Sequence, residues 1–283
     1  MSAVPSLSHA ARLVRDFDRE RFLTALFAPS ERREALLTVY AFNVEIARIR
    51  ESVHEPVVGL IRLQWWRDAL AAAAEGRPGD RHPIAAPLGS MIRSGAVSGA
   101  LVERLLAGRE RDLDPAGPVD LAAAESYAEE TSATVTALAL AALGADGEDA
   151  AAAGRHVGIA WALVGQVRAL GFHLSIGRLT LPEDMLRRAG TDGETVLAGR
   201  APAAALAQAA RGMADLARHH LGEARRRQRS IGRAALPALL PAVLADGHLA
   251  TLERAGWNPF DGRVQAARPR PLRLAWANLR GVF

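Results

Sequence analysis

Two groups of polar residues have a spacing that could line a binding site, and arginine is prominent in both. The first lies in the stretch LTVYAFNVEIARIRE and contains Tyr40, Asn43, Arg48, Arg50 and Glu51. The second lies in GQVRALGFHLSIGRLTLP and contains Gln166, Arg168, His173 and Arg178. Arginine can hold a phosphate or a carboxylate with two parallel hydrogen bonds. One interpretation of the pattern is therefore an anionic headgroup held by arginines without a metal.

The same stretches are poor in oxygen ligands for a metal ion. Ala47 and Glu51 lie one helical turn apart, as do Ala169 and His173, but only Glu51 among these four carries a carboxylate. Magnesium prefers several oxygen ligands, and neutral imidazole suits it poorly. We therefore expect no metal site and no bound cofactor. We interpret His173 as an ordinary histidine near a helix end, because no carboxylate lies within one turn of it.

Helices are expected to position both groups. Apolar residues at alternating spacings of three and four predict a helix over residues 31–53, with Ser30 as its N-cap; they are Val39, Phe42, Ile46, Ile49 and Val53. The same rhythm predicts a second helix from about Gly154 that ends at Gly177, carried by Ala160, Leu163, Val167, Leu170 and Leu174. Pro182 is predicted to open a further helix, with Glu183 and Asp184 in its first turn.

The rest of the chain predicts a single all-α domain. Breaks rich in Gly, Pro and Asp separate segments of helical length, at residues 75–83, 112–120, 144–149, 190–193, 199–202 and 256–262. No alternating apolar run demands a sheet. We divide the 283 residues into a lead-in (1–18), the all-α domain (19–264) and a tail or helix (265–283).

Composition excludes several kinds of site. The chain has no cysteine, which rules out disulfides and thiolate chemistry, and all of its basic residues are arginine. That bias is typical of a GC-rich bacterial genome. The basic run of Arg225, Arg226, Arg227 and Arg229 is interpreted as a solvated helix face, and no nucleic-acid motif accompanies it. The paired Trp65 and Trp66 are interpreted as core and rim packing.

The chain also lacks the patterns that direct a protein across a membrane. The first residues contain no apolar core of signal-peptide length. The longest apolar runs, 134–143 and 234–244, are shorter than the roughly 20 residues of a membrane span. We predict a cytoplasmic protein, with peripheral contact at the inner membrane as an open alternative.

Five segments resemble the squalene/phytoene synthase family in their order and approximate spacing. They are LTVYAFNVEIARIRE, IRLQWWRDAL, YAEETSATV, VGIAWALVGQVRALGFHLSIGRLTLP and ATLERAGWNPFDGRV. The resemblance covers about residues 19–264 and implies an all-α isoprenoid-synthase fold with a central cavity. Active members carry an aspartate-rich DxxxD motif on each of two facing helices, which hold magnesium against a prenyl diphosphate.

At the matching positions this chain departs from the family pattern. The first motif falls on Ala47 to Glu51 and the second on Ala169 to His173, so one of four expected aspartates is replaced by glutamate and the others are lost. The frame of Arg168, Gly177, Arg178, Leu181 and Pro182 is kept. In this respect the chain resembles a non-catalytic branch of the family, the mitochondrial assembly factors of respiratory complex I.

The resemblance leaves three functional hypotheses. The first is a non-catalytic factor that binds a complex I subunit or assembly intermediate as its protein partner. The second is an active prenyl-diphosphate transferase that needs magnesium, in which Glu51, Arg168, His173 and Tyr127 would act. The third is a metal-free carrier of an isoprenoid or anionic lipid, held by Tyr40, Asn43, Arg48, Arg50, Glu51, Gln166, Arg168 and Arg178.

Overall fold

A computed structural model describes residues 7–53, 55–77, 82–266 and 270–283. Within these ranges the chain is helical and contains no β-strand, which confirms the predicted all-α class. The α-helices in chain order are α1 His9–Phe17, α2 Arg19–Ala25, α3 Ser30–Ala47, α4 Pro56–Glu75, α5 Ala85–Arg93, α6 Gly99–Glu110, α7 Leu121–Ala128, α8 Thr134–Leu143, α9 Glu148–Arg168, α10 Leu170–Ser175, α11 Glu183–Arg188, α12 Gly193–Leu197, α13 Ala203–Arg226, α14 Leu236–Leu239, α15 Pro241–Arg254, α16 Gly262–Gln265 and α17 Pro271–Arg280.

Helix α3 carries Tyr40 and Asn43 of the first polar group, and its apolar stripe is buried as predicted. Val39, Phe42 and Ile46 are each at most 1% exposed. The predicted length and cap were wrong. The helix begins at Ser30 with Pro29 as its N-cap, and it ends at Ala47, before a 3-10 turn over Arg50–Ser52. Because Pro56 opens α4, the chain must leave the helical path before that residue.

Helix α9 carries Gln166 and Arg168 of the second polar group, and Ala160, Leu163, Val167 and Leu170 are fully buried along it and its continuation. It begins at Glu148, earlier than predicted, and it is interrupted at Ala169, where the backbone leaves helical geometry (φ −90°, ψ 10°) before α10 begins. Gly177 then takes a left-handed conformation (φ 70°), which confirms it as the end of the helical segment. Helix α11 starts at Glu183 after Pro182, as predicted.

The core is built around α9, which packs against α8, α13 and α15. Helix α9 packs very closely against the preceding helical segment at Gly158. A Cβ built on Gly158 would lie 2.3 Å from the Ala133 Cα, at the end of a π-helical turn over Glu129–Ala133 that joins α7 to α8. Glycine is therefore required at position 158 by the close approach of the two backbones.

Several segments at the edges of this core contribute to it. Helix α1 packs against α3 and buries Val14, and α17 buries Leu274 and Ala277. Part of the predicted break at 75–83 lies outside the described residues; α4 ends at Glu75 before Gly76, whose φ is 72°. The division into lead-in, domain and tail stays a prediction.

One helical stretch among the described residues, Arg233–Arg254, is long and apolar enough to cross a membrane by length and composition. Most of its apolar window (78%) is buried inside the protein, as in the core helix of a soluble fold. We therefore interpret this stretch, which includes α14 and α15, as part of the core.

Candidate functional site

A buried ionic network around Asp112 joins four elements at the candidate site. The Asp112 carboxylate lies in a 3-10 turn over Arg111–Leu113 and is 4% exposed. Arg178 donates to its Oδ1 at 2.6 Å, and Tyr127 donates its hydroxyl proton to the same oxygen at 2.5 Å. Arg109 donates to Oδ2 at 3.1 Å. One carboxylate therefore pairs with two guanidinium groups and also accepts a hydrogen bond from a phenol.

Arg109 extends this network to α3. Its second terminal nitrogen donates to the Asn43 amide oxygen at 2.9 Å, while the first also contacts the Tyr127 hydroxyl at 3.1 Å. Asn43 is 5% exposed. Asn43 of the first polar group is thereby connected, through Arg109 and Asp112, to Arg178 of the second group. We call these five residues, Asn43, Arg109, Asp112, Tyr127 and Arg178, the Asp112 network.

The surroundings of Tyr127 in the Asp112 network keep its hydroxyl protonated. Burial raises the pKa of Tyr127, and the charge of Asp112 raises it further, so the phenol remains a proton donor at neutral pH. With Asp112 ionised, the two arginines give the network one excess positive charge. A network of this kind is better suited to holding the fold, or to facing an anion, than to binding a cation.

The charges of the Asp112 network affect the pKa of His173. Burial lowers its pKa to about 4, and the charge of Arg178 contributes to the lowering while Asp112 opposes it. Its Nδ1 is buried without a hydrogen-bond partner among the described residues. At neutral pH the imidazole is uncharged and faces a guanidinium, which is an unfavourable position for a general acid.

The residues at the first motif position lie at the surface instead. Glu51 is exposed and pairs with Arg48, whose Nε lies 3.4 Å from the Glu51 Oε2. Ala47 and Asn43 line the same opening, of about 480 Å³, as this pair. Arg48 also stacks over the Phe17 ring at 3.7 Å from its centroid. The arginine thus neutralises the one carboxylate that replaces the family's aspartates.

The side chains present do not fit a magnesium cluster. Ala47 and Ala169 offer no oxygen, Glu51 is paired with Arg48, and His173 offers only a buried nitrogen near Arg178. Arg50 lies between the two segments and donates to the backbone oxygens of Val53 and Ile176, at 3.2 and 3.4 Å. In the described part of the chain, no three His, Asp or Glu side chains are grouped so as to hold a metal ion.

Arg168 is separated from the Asp112 network and has a different partner. Its guanidinium lies 3.0 Å from Glu20 on α2, and the other oxygen of Glu20 lies 2.6 Å from the His248 Nε2. Burial raises the pKa of Glu20, but the hydrogen bond from His248 and the charge of Arg168 outweigh it and lower that pKa overall. Arg168 therefore ties α9 to α2 and α15 as a structural ion pair.

Tyr40 on α3 and Trp161 on α9 both contact Arg21. The Arg21 guanidinium lies 5.6 Å from the Tyr40 ring centroid and 5.7 Å from the Trp161 ring centroid. Arg21 pairs with Asp18 at 2.9 Å. Tyr40 is 1% exposed, and burial raises the pKa of its hydroxyl. Tyr40 is therefore a buried partner in a cation–π contact with Arg21.

Gln166 lines a separate cavity of about 300 Å³ with Tyr127 and Arg178. Its Oε1 is buried and has no hydrogen-bond partner among the described residues. Gly165, the next residue back, faces open space, since a Cβ there would meet nothing within 4 Å. Helix α9 thus borders a cavity at Gln166 and makes a tight helix contact at Gly158.

The predicted site residues consequently divide among several places. Asn43, Tyr127 and Arg178 meet at Asp112, with His173 beside them, whereas Arg48 and Glu51 are at the surface and Arg168 and Tyr40 belong to other contacts. Sequence reasoning missed Arg109, Asp112, Arg21 and Glu20. Only the pairing of Arg109 with Asp112 could have been recognised locally, because opposite charges three residues apart can pair on a helical turn.

The tryptophan pair on α4 lies as predicted, with Trp66 in the core and Trp65 at its rim. Trp66 is 4% exposed and packs edge-on against Phe42, with 5.2 Å between ring centroids, while Trp65 is 47% exposed. The exposed side of α4 also carries Val57, Leu60 and Ile61. This helix therefore presents apolar side chains to solvent beside the first motif position.

The sequence of this chain is similar to those of several known proteins. The family model described as squalene/phytoene synthase matches residues 14–271. The protein named NADH dehydrogenase (ubiquinone) complex I, assembly factor 6, from Bos taurus is 30% identical over 257 residues, 91% of this chain and 77% of that protein. A presqualene diphosphate synthase from Rhodopseudomonas palustris is 29% identical over 61% of this chain and 62% of its own length.

A solved structure supports the fold. A squalene synthase from Alicyclobacillus acidocaldarius superposes with a TM-score of 0.77 at 21% identity, covering 89% of this chain and 94% of that one. At this identity the similarity concerns the helical architecture alone. The predicted isoprenoid-synthase fold is confirmed by this similarity.

Proposed function

This chain belongs to the squalene/phytoene synthase family, and we propose that it is a non-catalytic member that assists the assembly of respiratory complex I by binding a protein partner. One observation carries the proposal. At the two positions where family members are expected to hold magnesium with carboxylates, this chain places Ala47, Ala169, a neutral His173 and a Glu51 paired with Arg48. Ligands of that kind cannot collect the divalent cations that assist the departure of a diphosphate.

The kind of partner comes from the curated relatives. The assembly factor 6 proteins of Bos taurus and Homo sapiens match 91% of this chain at 30% and 28% identity. The presqualene diphosphate synthase match is shorter, at 61% of the chain. The longer match supports a complex I subunit or assembly intermediate as the partner.

A gene deletion separates this proposal from an active transferase. We expect the deletion strain to lose assembled complex I, measured by native gel activity, while its extractable isoprenoid products stay at wild-type levels. Complementation with Glu51→Ala should restore complex I as fully as the wild-type gene does. Glu51 is exposed, and its ion pair with Arg48 is a surface pair, so this variant should fold normally.

An activity assay on purified protein supplies the opposing outcome. Farnesyl or geranylgeranyl diphosphate with magnesium should give no product. Turnover that Glu51→Ala abolishes would overturn the proposal and would favour the transferase. Unchanged complex I in the deletion strain would overturn the assembly role.

A further inference from the structure

Helix α17 presents apolar side chains on two opposite faces. Leu274 and Ala277 point into the protein and are 0% and 2% exposed. Leu272, Trp276 and Leu279 follow one another at spacings of four and three residues, so they form a single line along the other face. They are 85%, 57% and 72% exposed. A line of large apolar side chains this exposed marks a surface that meets something other than water.

The charged residues of α17 and its N-cap are all arginines. They are Arg270, Arg273 and Arg280, and the sequence from Arg270 to Phe283 contains no aspartate or glutamate. Arg280 lies over the Trp276 ring, 5.3 Å from its centroid. Arg233, from a neighbouring segment, donates to the Leu279 backbone oxygen at 2.5 Å and so adds a further positive charge at the end of the helix.

Helix α17 is fixed to the body of the protein. Arg225 donates to the Phe283 backbone oxygen at 2.8 Å and pairs with Asp246 at 2.6 Å. Asp246 also lies 3.9 Å from Arg273. The exposed line of Leu272, Trp276 and Leu279 is therefore held in place before any partner binds, and docking does not require the helix to form.

We propose that this face of α17 docks on the surface of an anionic lipid bilayer. Tryptophan and leucine enter the boundary between headgroups and acyl chains, while arginines at the rim meet lipid phosphates. The helix has 10 residues, half of what a span requires, so it would lie in the plane of the interface. The arginines of α17 itself, together with Arg233, favour an anionic leaflet over a protein surface of mixed charge.

This inference concerns a surface remote in sequence from the motif positions, and it does not depend on the proposed function. An assembly factor that does not bind membranes would fail the vesicle-binding test below and would still support complex I assembly. A membrane-bound transferase would bind vesicles without assisting assembly. The two conclusions can therefore be separated by their own experiments.

Vesicle flotation of the full chain tests the proposal. Wild-type protein should float with phosphatidylcholine vesicles that contain about one-third phosphatidylglycerol, and it should stay behind with phosphatidylcholine alone. Binding should weaken as salt is raised, because the rim charges are screened. Leu272→Ser combined with Leu279→Ser should weaken binding about tenfold, because the apolar line is lost.

Ile61→Ser is the matched control, since Ile61 is a 62% exposed apolar residue on α4. It should change vesicle binding less than about twofold. Circular dichroism should show that all variants keep the helical content of the wild type. Absence of binding to the anionic vesicles, or equal losses in the α4 and α17 variants, would overturn the proposal; the first result would assign this face to a protein partner.

Discussion

Arg178 and Asp112 form a buried ion pair of 2.6 Å that ties the loop after α10 to the turn after α6. Because Asp112 also pairs with Arg109 and accepts the Tyr127 hydroxyl, three elements around the candidate site depend on one carboxylate. Arg178, which is kept with Gly177 after the second motif position, therefore has a structural role in this protein. This explains how the frame of the site can persist without the carboxylates of the catalytic motifs.

Removal of the Asp112 carboxylate should be strongly destabilising. Asp112→Ala leaves the guanidinium groups of Arg109 and Arg178 buried without a counter-charge, which costs about 3–5 kcal/mol in comparable pairs. The free energy of unfolding in urea measures the effect. Glu103→Gln is the control, since Glu103 pairs with Arg67 at 2.8 Å but is 55% exposed; its cost should stay below about 1 kcal/mol. Equal losses for both variants would contradict the assignment of Asp112 as the centre of the network.

Two glycines on α9 should respond to alanine in opposite ways. Gly158→Ala places a Cβ against the Ala133 backbone, so the helices must move apart and stability should fall by about 2 kcal/mol. Gly165→Ala meets nothing within 4 Å and should raise stability by up to about 1 kcal/mol through helix propensity. Thermal unfolding of the two variants checks the pair. A destabilised Gly165→Ala would show that the space beside Gly165 is not open.

The sequence predicts some of these structural features and not others. The stripes on α3 and α9 could be recognised because periodicity reports burial directly. The ends marked by Gly177 and Pro182 could also be recognised, whereas the interruption at Ala169 carries no glycine or proline at that position. Asp112 falls in a predicted break rich in Gly, Pro and Asp, and its partner Arg178 lies 66 residues away. A pairing over that distance is set by the fold and leaves no local pattern.

The protein should lose stability as pH falls from neutral towards about 4. Burial is the main cause that lowers the pKa of His173, and likewise of His156 and His220, to about 4 from a usual value near 6.5. The unfolded chain therefore binds more protons than the folded one between these values, so the free energy of unfolding rises with pH across this window. His173→Asn should reduce that slope by up to about one proton. Urea unfolding at several pH values measures the slope, and a slope unchanged by the substitution would place His173 in solvent.

Magnesium together with inorganic diphosphate should leave the melting temperature of the wild-type protein unchanged. A ligand that binds only the folded state raises stability by mass action, so a retained metal cluster would appear as a shift that grows with ligand concentration. The single carboxylate at the two motif positions, Glu51, is neutralised by Arg48, and Glu51→Ala should therefore give the same flat response. The presqualene diphosphate synthase of Rhodopseudomonas palustris, measured in parallel, is the positive control. A shift in the wild-type protein that disappears in Glu51→Ala would mean that this glutamate holds a cation, and the non-catalytic assignment would then have to be withdrawn.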